Sequence, residues 1–293
     1  MMLISGIIPV KDMPLTIGEI KADGVFLNLN GINIPCTQGT AALISAALTA
    51  TDYLGLDPPH ALLAGDIGQG EGSRLIYEYL IKNISNLSPD VLALHYCLPD
   101  MAMMKKLIIS SERCAKRPIM IADAASMYAA KAAKLATRFD IFTPDSCEMA
   151  FLADPDASHP AYISRHLFDT GETRIPELVS AAYHQKNAAK LLLVKGAVDY
   201  VFKDGKIIDI ITEPNIPELE AIGGTGDTIT GLVAALAYAK LELYEAAIIA
   251  AKANRMAGEY AQATPATRIW QIISQLPEVF KEYLCEWSGE CII

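Results

Sequence analysis

Gly223-Gly224-Thr225-Gly226-Asp227-Thr228-Ile229-Thr230-Gly231, GGTGDTITG, is the stretch from which the fold of this chain is read. Small residues lead into one carboxylate, and helix-compatible residues run on through Leu236. A glycine-rich turn opening a helix leaves several backbone N–H groups without intrahelical acceptors, free of Cβ interference and at the positive end of the helix dipole. That terminus suits a phosphate. A carboxylate inside it is electrostatically awkward, so Asp227 needs a role other than charge balance. One reading is a helix N-cap. The other is a base facing a substrate hydroxyl while the amides of Gly224, Thr225 and Gly226 stabilise the phosphoryl group moving onto it. No Lys-Ser or Lys-Thr pair follows the last glycine, so the stretch is not a Walker A loop.

Moving outward, the apolar run Leu191 to Val194 reads as a buried strand that delivers Lys195-Gly196-Ala197. The lysine there either compensates phosphate charge or faces solvent from a turn. Beyond it, Tyr200 to Phe202 and Lys206 to Ile211 flank Asp204-Gly205, a hairpin signature. Ile119 to Ile121 forms a strand ending at Asp123, and a carboxylate there either meets a ligand at the strand's carboxyl end or caps the next helix, Ser126 to Thr137. Ile141-Phe142 repeats the strand pattern before Asp145 and Glu148, the latter read as a first-turn helix acid.

Nearer the start, residues 3 to 10 suit a first strand, and Val25 to Leu29 with Ile32 to Ile34 flank Asn30-Gly31 as an N-terminal hairpin. Thr37 is the expected cap of a helix from Gly39 to Leu54. Ala61 to Ala64 leads into the glycine-rich loop Gly65 to Gly72 and a helix from Ser73 to Ile84, so Asp66 and Gly68 are candidate ligand contacts, with a plain flexible loop as the alternative. Asp90 to Leu94 is a further strand, and Asp100 caps a helix through Ser111. His95 reads as a hydrogen-bonded core histidine. Ile163 to Phe168 is a short element, and Pro176 opens a helix to Gln185. Glu242 to Gln262 is an alanine-rich helix with little chemistry in it, and Trp270 to Leu276 and Glu278 to Trp287 make a helical tail broken by Pro277. The alternation of strands and helices predicts an α/β fold, a mostly parallel sheet covered on both faces, within a single domain spanning 1–293.

Here GGTGDTITG resembles the anion-hole and catalytic-aspartate motif of the ribokinase-like superfamily. The segments PIMIADA (118–124), TPDSCEMAFL (143–152) and VKGA (194–197) follow the order of one branch, the ADP- or ATP-dependent NAD(P)H-hydrate dehydratases, over residues 90 to 260. The resemblance implies a three-layer α/β/α sandwich, ADP or ATP with Mg²⁺, and Asp227 as catalytic base. It also implies nucleotide contacts at Lys195, Gly196, Ala197, Gly223, Gly224, Thr225 and Gly226, and substrate contacts at Asp123, Asp145 and Glu148, with no dedicated protein metal site. Two departures stand out. The family carries a glycine-rich turn where this chain has His95-Tyr96-Cys97-Leu98-Pro99-Asp100, and commonly a histidine where it has Asp145. The implied reaction is activation of a hydroxyl of hydrated NAD(P)H; the alternatives are an ATP-dependent kinase of a sugar or vitamin precursor, and a catalytically silent nucleotide-binding protein.

With 24 Lys+Arg against 34 Asp+Glu, the net charge of −10 excludes a general nucleic-acid or anionic-membrane binder and points to small-molecule partners. Mean hydropathy is positive at +0.27, yet no window holds the ~18 apolar residues a spanning helix needs, and a cytoplasmic protein is expected. The six cysteines lack CxxC spacing, which removes the usual zinc and thioredoxin readings. The sequence leaves a homo-oligomer open.

Overall fold

Alternation of apolar residues along short strands sets the architecture. In the computed structural model, which describes residues 1–157 and 174–289, β1 (Met2–Ile8) sends Met2 and Ile4 to one face and Leu3 to the other. The same split recurs in β5 (His60–Gly65) and β6 (Val91–His95): Ala61, Leu63, Val91 and Ala93 pack on one face, Leu62, Ala64, Leu92 and Leu94 on the other. A sheet apolar on both faces needs cover on both.

β7 (Ile119–Asp123), β8 (Ile141–Phe142) and β9 (Leu191–Val194) extend this parallel centre. Antiparallel pieces close the ends. On one side stands the hairpin β10 (Asp199–Lys203) and β11 (Lys206–Ile211). On the other, β2 (Thr16–Asp23) leads to β3 (Phe26–Leu29) and β4 (Ile32–Pro35), giving the order β11-β10-β9-β8-β7-β6-β1-β5-β2-β3-β4. The Asn30-Gly31 hairpin forms as expected, with φ of 51° and 87°. β2 was not anticipated, because its face is only partly buried and its apolar alternation is weak.

One face is covered by α1 (Thr40–Tyr53), α7 (Thr225–Tyr238), α8 (Leu243–Tyr260), α9 (Ile269–Ile273) and α10 (Leu276–Ser288). The other carries α2 (Glu71–Leu87), α3 (Met101–Ser111), α4 (Ala125–Ala132), α5 (Ser146–Ala153) and α6 (Ile175–His184). Three local expectations are corrected. Thr37 does not cap α1, whose N-cap is Gly39; Pro277 lies in the first turn of α10 rather than between helices; and α4 stops at Ala132, followed by a 3₁₀ turn at Ala136–Arg138. The expected element at 163–168, and Cys291, lie outside the described residues.

α1 and α7 approach closely. At Gly231 an added Cβ would lie 2.1 Å from the carbonyl oxygen of Leu43, so the last glycine of GGTGDTITG is where one helix rests on the backbone of the other. No helix among the described residues is long and apolar enough to cross a membrane.

Candidate active site

Parallel strands place their carboxyl ends on one edge, and the chemistry gathers there. In register, His95 at the end of β6 lies opposite Asp123 at the end of β7, and Asp145 after β8 bridges to Lys195 after β9. α7 brings Asp227 to the same edge in its first turn. Gly224 is the N-cap, in the left-handed region at φ 103°, so Asp227 does not cap its own helix.

The Asp227 carboxylate is held from two sides. Oδ2 accepts the backbone N–H of Gly39, the N-cap of α1, at 2.7 Å, and Oδ1 lies 2.9 Å from Nε2 of His95. Its side chain retains 15% exposure, enough to reach the cavity, whereas His95 retains none. Burial alone would raise the Asp227 pKa, but the His95 hydrogen bond and charge, the Lys195 charge and the Gly39 N–H outweigh it and hold the acid below its ordinary value.

Asp123 is saturated. Lys195 Nζ reaches both its oxygens, at 3.0 and 2.9 Å, Thr230 donates to Oδ2 at 2.5 Å, and its oxygen Oδ1 accepts the N–H of Ala124. Thr143 lies 2.9 Å from Thr230, extending the chain. Lys195 is therefore neither a solvent-facing turn lysine nor an unpaired phosphate ligand. Burial would lower its pKa, but the charges of Asp123 and Glu148 override this and keep it well above the ordinary lysine value.

Asp145 and Glu148 form a capping box on α5: Asp145 accepts the Glu148 N–H at 2.7 Å and Glu148 accepts the Asp145 N–H at 2.8 Å. Tyr128 donates to the other Glu148 oxygen at 3.2 Å. Desolvation, then the charges of Asp145 and Asp123, push Glu148 up to about 8.

The 195–197 loop is moored from below. Arg255 on α8 pairs with Asp199 at 2.7 Å and donates to the carbonyls of Gly196 and Ala197 at 3.0 and 2.7 Å, while Asp199 accepts the Gly196 N–H at 3.0 Å. Beside it, the buried Oδ1 of Asn254 has no hydrogen-bond partner among the described residues, although Asn254 lines the cavity. The expectation that this helix carries little chemistry is thus corrected. Its signal was an Asn-Arg pair in an alanine-rich run, at positions where helix packing should bury it. Asp199, Arg255, Asn254 and the His95 contact were all missed as site features.

A cavity of about 530 Å³ joins these groups, lined among others by Tyr96, Asp123, Asp145, Glu148, Lys195, Gly196, Ala197, Thr225, Gly226 and Asp227. Gly223 and Gly224 do not line it. An added Cβ at Gly223 would lie 2.5 Å from Gln38 Oε1, and one at Gly224 3.0 Å from Ile269, so these glycines serve close packing of the turn. Asp66 and Gly68 stand apart as well. The Asp66 carboxylate accepts the N–H groups of Gly68, Gln69, Gly70 and Ser73 and the Ser73 hydroxyl, which spends it on shaping its own loop.

Comparison with known proteins gives the family and the fold. Residues 75–277 match a family profile described as NAD(P)H-hydrate dehydratase. An uncharacterized protein of Methanocaldococcus jannaschii is 38% identical over 83% of this chain and 100% of its own length. A bifunctional NAD(P)H-hydrate repair enzyme of Hyperthermus butylicus is 36% identical over 34% of this chain, and the match spans 18% of that enzyme's length. Among solved structures, the ADP/ATP-dependent NAD(P)H-hydrate dehydratase of Bacillus subtilis co-crystallised with ATP/Mg²⁺ and soaked with CoA superposes with a TM-score of 0.57. It covers 96% of this chain and 91% of that one at 15% identity, a likeness of fold. The fold is the α/β sandwich of the ribokinase-like kinases.

Proposed function

The chain belongs to the NAD(P)H-hydrate dehydratase family, and from that premise we propose that it is a nucleotide-dependent enzyme that repairs hydrated NAD(P)H by phosphoryl transfer to its hydroxyl. The observation that carries this reading is the partly exposed Asp227 carboxylate in the first turn of α7, on the wall of the cavity that Lys195, Gly196 and Ala197 also line.

Phosphoryl transfer to an alcohol asks for positioning, charge neutralisation and acceptance of the hydroxyl proton. Asp227, held ionised, takes the proton through a lone pair left free by Gly39 and His95. First-turn amides of α7 at Thr225 and Gly226 face the transferring group, and the unpartnered oxygen of Asn254 offers an acceptor for a donor group of the nucleotide. The activated oxygen then leaves as phosphate with the electrons of its C–O bond, and a proton is lost from the adjacent ring carbon to solvent, which restores the dihydronicotinamide double bond.

The cavity wall carries Asp123, Asp145, Asp199, Asp227, Glu148 and Glu220 against Lys195 and Arg255, and both cations are already paired. A polyphosphate alone would be repelled there, so the donor set fits a divalent cation arriving with it. Asp145 and Glu148, on the rim and not paired to a cation among the described residues, would hold Mg²⁺, which supplies charge neutralisation on the phosphate oxygens.

Incubating the protein with hydrated NADH plus ADP or ATP and following the absorbance of restored dihydronicotinamide tests the reading; no recovery rejects it. One feature favours a second reading, a small-molecule kinase. Tyr96, at φ 55° on a residue type that disfavours this region, lines the cavity within the stretch where the family resemblance implies a glycine-rich turn, and so reshapes the substrate end. ADP release on a panel of alcohols, without hydrate repair, would select it. Nucleotide affinity with no turnover on either panel would leave a silent binder.

A further inference from the structure

Thr40, His95 and Asp227 form a chain whose hydrogens can be counted. The Thr40 hydroxyl lies 2.8 Å from the carbonyl oxygen of Ile7 and 2.9 Å from Nδ1 of His95. A carbonyl only accepts, so the one hydroxyl hydrogen goes to Ile7, and Thr40 turns a lone pair toward Nδ1. Nδ1 therefore carries a hydrogen. The 2.9 Å contact between Nε2 and Asp227 Oδ1 needs a second. With the Asp227 carboxyl held ionised, the shared hydrogen rests on Nε2, and the two ring hydrogens with the carboxylate make a unit of zero net charge.

We infer that His95 is a positioning residue that forms with Asp227 one neutral, proton-sharing unit, fixing the carboxylate's direction and cancelling its charge beside the phosphates. The inference rests on the reading of Asp227 as base. It explains how a carboxylate is tolerated in an anion-binding turn. A second buried pair, Lys195 with Asp123, cancels beside it, so four ionisable groups add no net charge at the helix terminus. The packing is built for this contact: at Gly6 on β1 an added Cβ would lie 2.6 Å from the His95 carbonyl and 2.7 Å from the Thr40 methyl, so only glycine admits both.

The groups facing the pair come from every adjoining element. Asp123 Oδ2 on β7 lies 3.9 Å from His95 Nε2, and the same carboxylate is paired with Lys195. The Tyr96 ring meets the imidazole edge-on, with centroids 4.4 Å apart. Thr40 is on α1, Asp227 on α7, and Glu148 on α5 contributes its charge to Asp123's partner, Lys195. In the reaction the substrate O–H bond breaks, its proton goes to the free lone pair of Asp227 and its electron pair forms the O–P bond. The nucleotide leaves with the electrons of the broken bridging P–O bond. The hydrogen shared with His95 stays in place.

The test is ¹⁵N NMR of histidine-labelled protein, beside steady-state kinetics. The expected spectrum shows His95 with hydrogen on Nδ1 and a hydrogen-bonded Nε2. In Asp227→Asn the Nε2 hydrogen is lost while that on Nδ1 stays. A bare Nδ1 in the wild type would overturn the inference. In kinetics, His95→Gln should lower kcat about tenfold or more, leave nucleotide KM within about twofold, and move the acid limb of kcat/KM upward in pH. An unmoved acid limb with only lower stability makes His95 structural and also overturns it. Should that variant not fold, Thr40→Val removes the acceptor for Nδ1–H, and the ring should switch to hydrogen on Nε2 alone; no switch counts against the inference. If no substrate turns over, the proposed function fails while the spectrum still decides the pair.

Discussion

Nε2 of His95 lies 2.9 Å from Oδ1 of Asp227, across 132 positions of sequence, and this contact ties the end of a central strand to the first turn of the motif helix. Neither residue caps a helix. Both converge on the edge of the sheet where the cavity of about 530 Å³ opens.

Replacing Asp227 by Asn keeps the shape and an acceptor for one of the two donors, but removes the base. Turnover should fall by about 10²–10⁴-fold, the usual worth of a positioned general base, with nucleotide affinity little changed. Recovery of dihydronicotinamide absorbance and nucleotide titration calorimetry check the two halves. Wild-type turnover in this variant would make the base assignment wrong.

Cation removal should matter more here than in a site with free lysines. With both cavity cations among the described residues already paired, ADP or ATP should bind at least about tenfold more weakly in EDTA than with Mg²⁺. Calorimetry under the two conditions decides it, and equal affinities would mean that backbone amides alone carry the phosphates.

Arg255 holds together Asp199 and the carbonyls of Gly196 and Ala197. Arg255→Leu leaves a buried carboxylate without its partner, at a cost of about 3–5 kcal/mol in urea unfolding. Pairing it with Asp199→Asn should recover part of that loss. Nucleotide affinity should stay weak in both, because the loop has lost its mooring.

Glu148 sets a pH dependence of stability. Its folded pKa, about 8, lies above the ordinary 4.5, so the folded state holds a proton that the unfolded state releases. The contribution is fully present below about pH 4.5 and is lost as pH rises through about 8. Glu148→Gln keeps a capping-box side chain without the titration. In the absence of metal, its Tm should exceed that of the wild type by a few degrees at about pH 9, and the gap should close toward about pH 5. Parallel curves would place the Glu148 carboxyl in water.

Gly231→Ala drives a methyl into the Leu43 carbonyl of the facing helix. The expected loss is about 1–3 kcal/mol or more, read as a lower urea midpoint. An unchanged midpoint would show that α1 and α7 can part without cost.

GGTGDTITG by itself determined that a helix opens on a glycine-rich turn with a carboxylate in it, and the alternation of short apolar strands determined a parallel sheet covered on both faces. Those are local properties: periodicity, backbone freedom and side-chain type act over a few residues and need no partner. What each polar side chain does was decided by tertiary structure. Asp66 and Asp227 both sit in glycine-rich turns, yet one closes on its own loop and the other is turned outward by Gly39 and His95. Lys195, read from sequence as a phosphate-compensating or turn lysine, is set on Asp123 by strand register, and Arg255, in a helix read as carrying little chemistry, reaches the 195–197 loop because α8 packs beneath it. A buried charge or hydrogen-bonding group must be matched, and the group that matches it comes from whichever distant segment the packing of the core brings alongside.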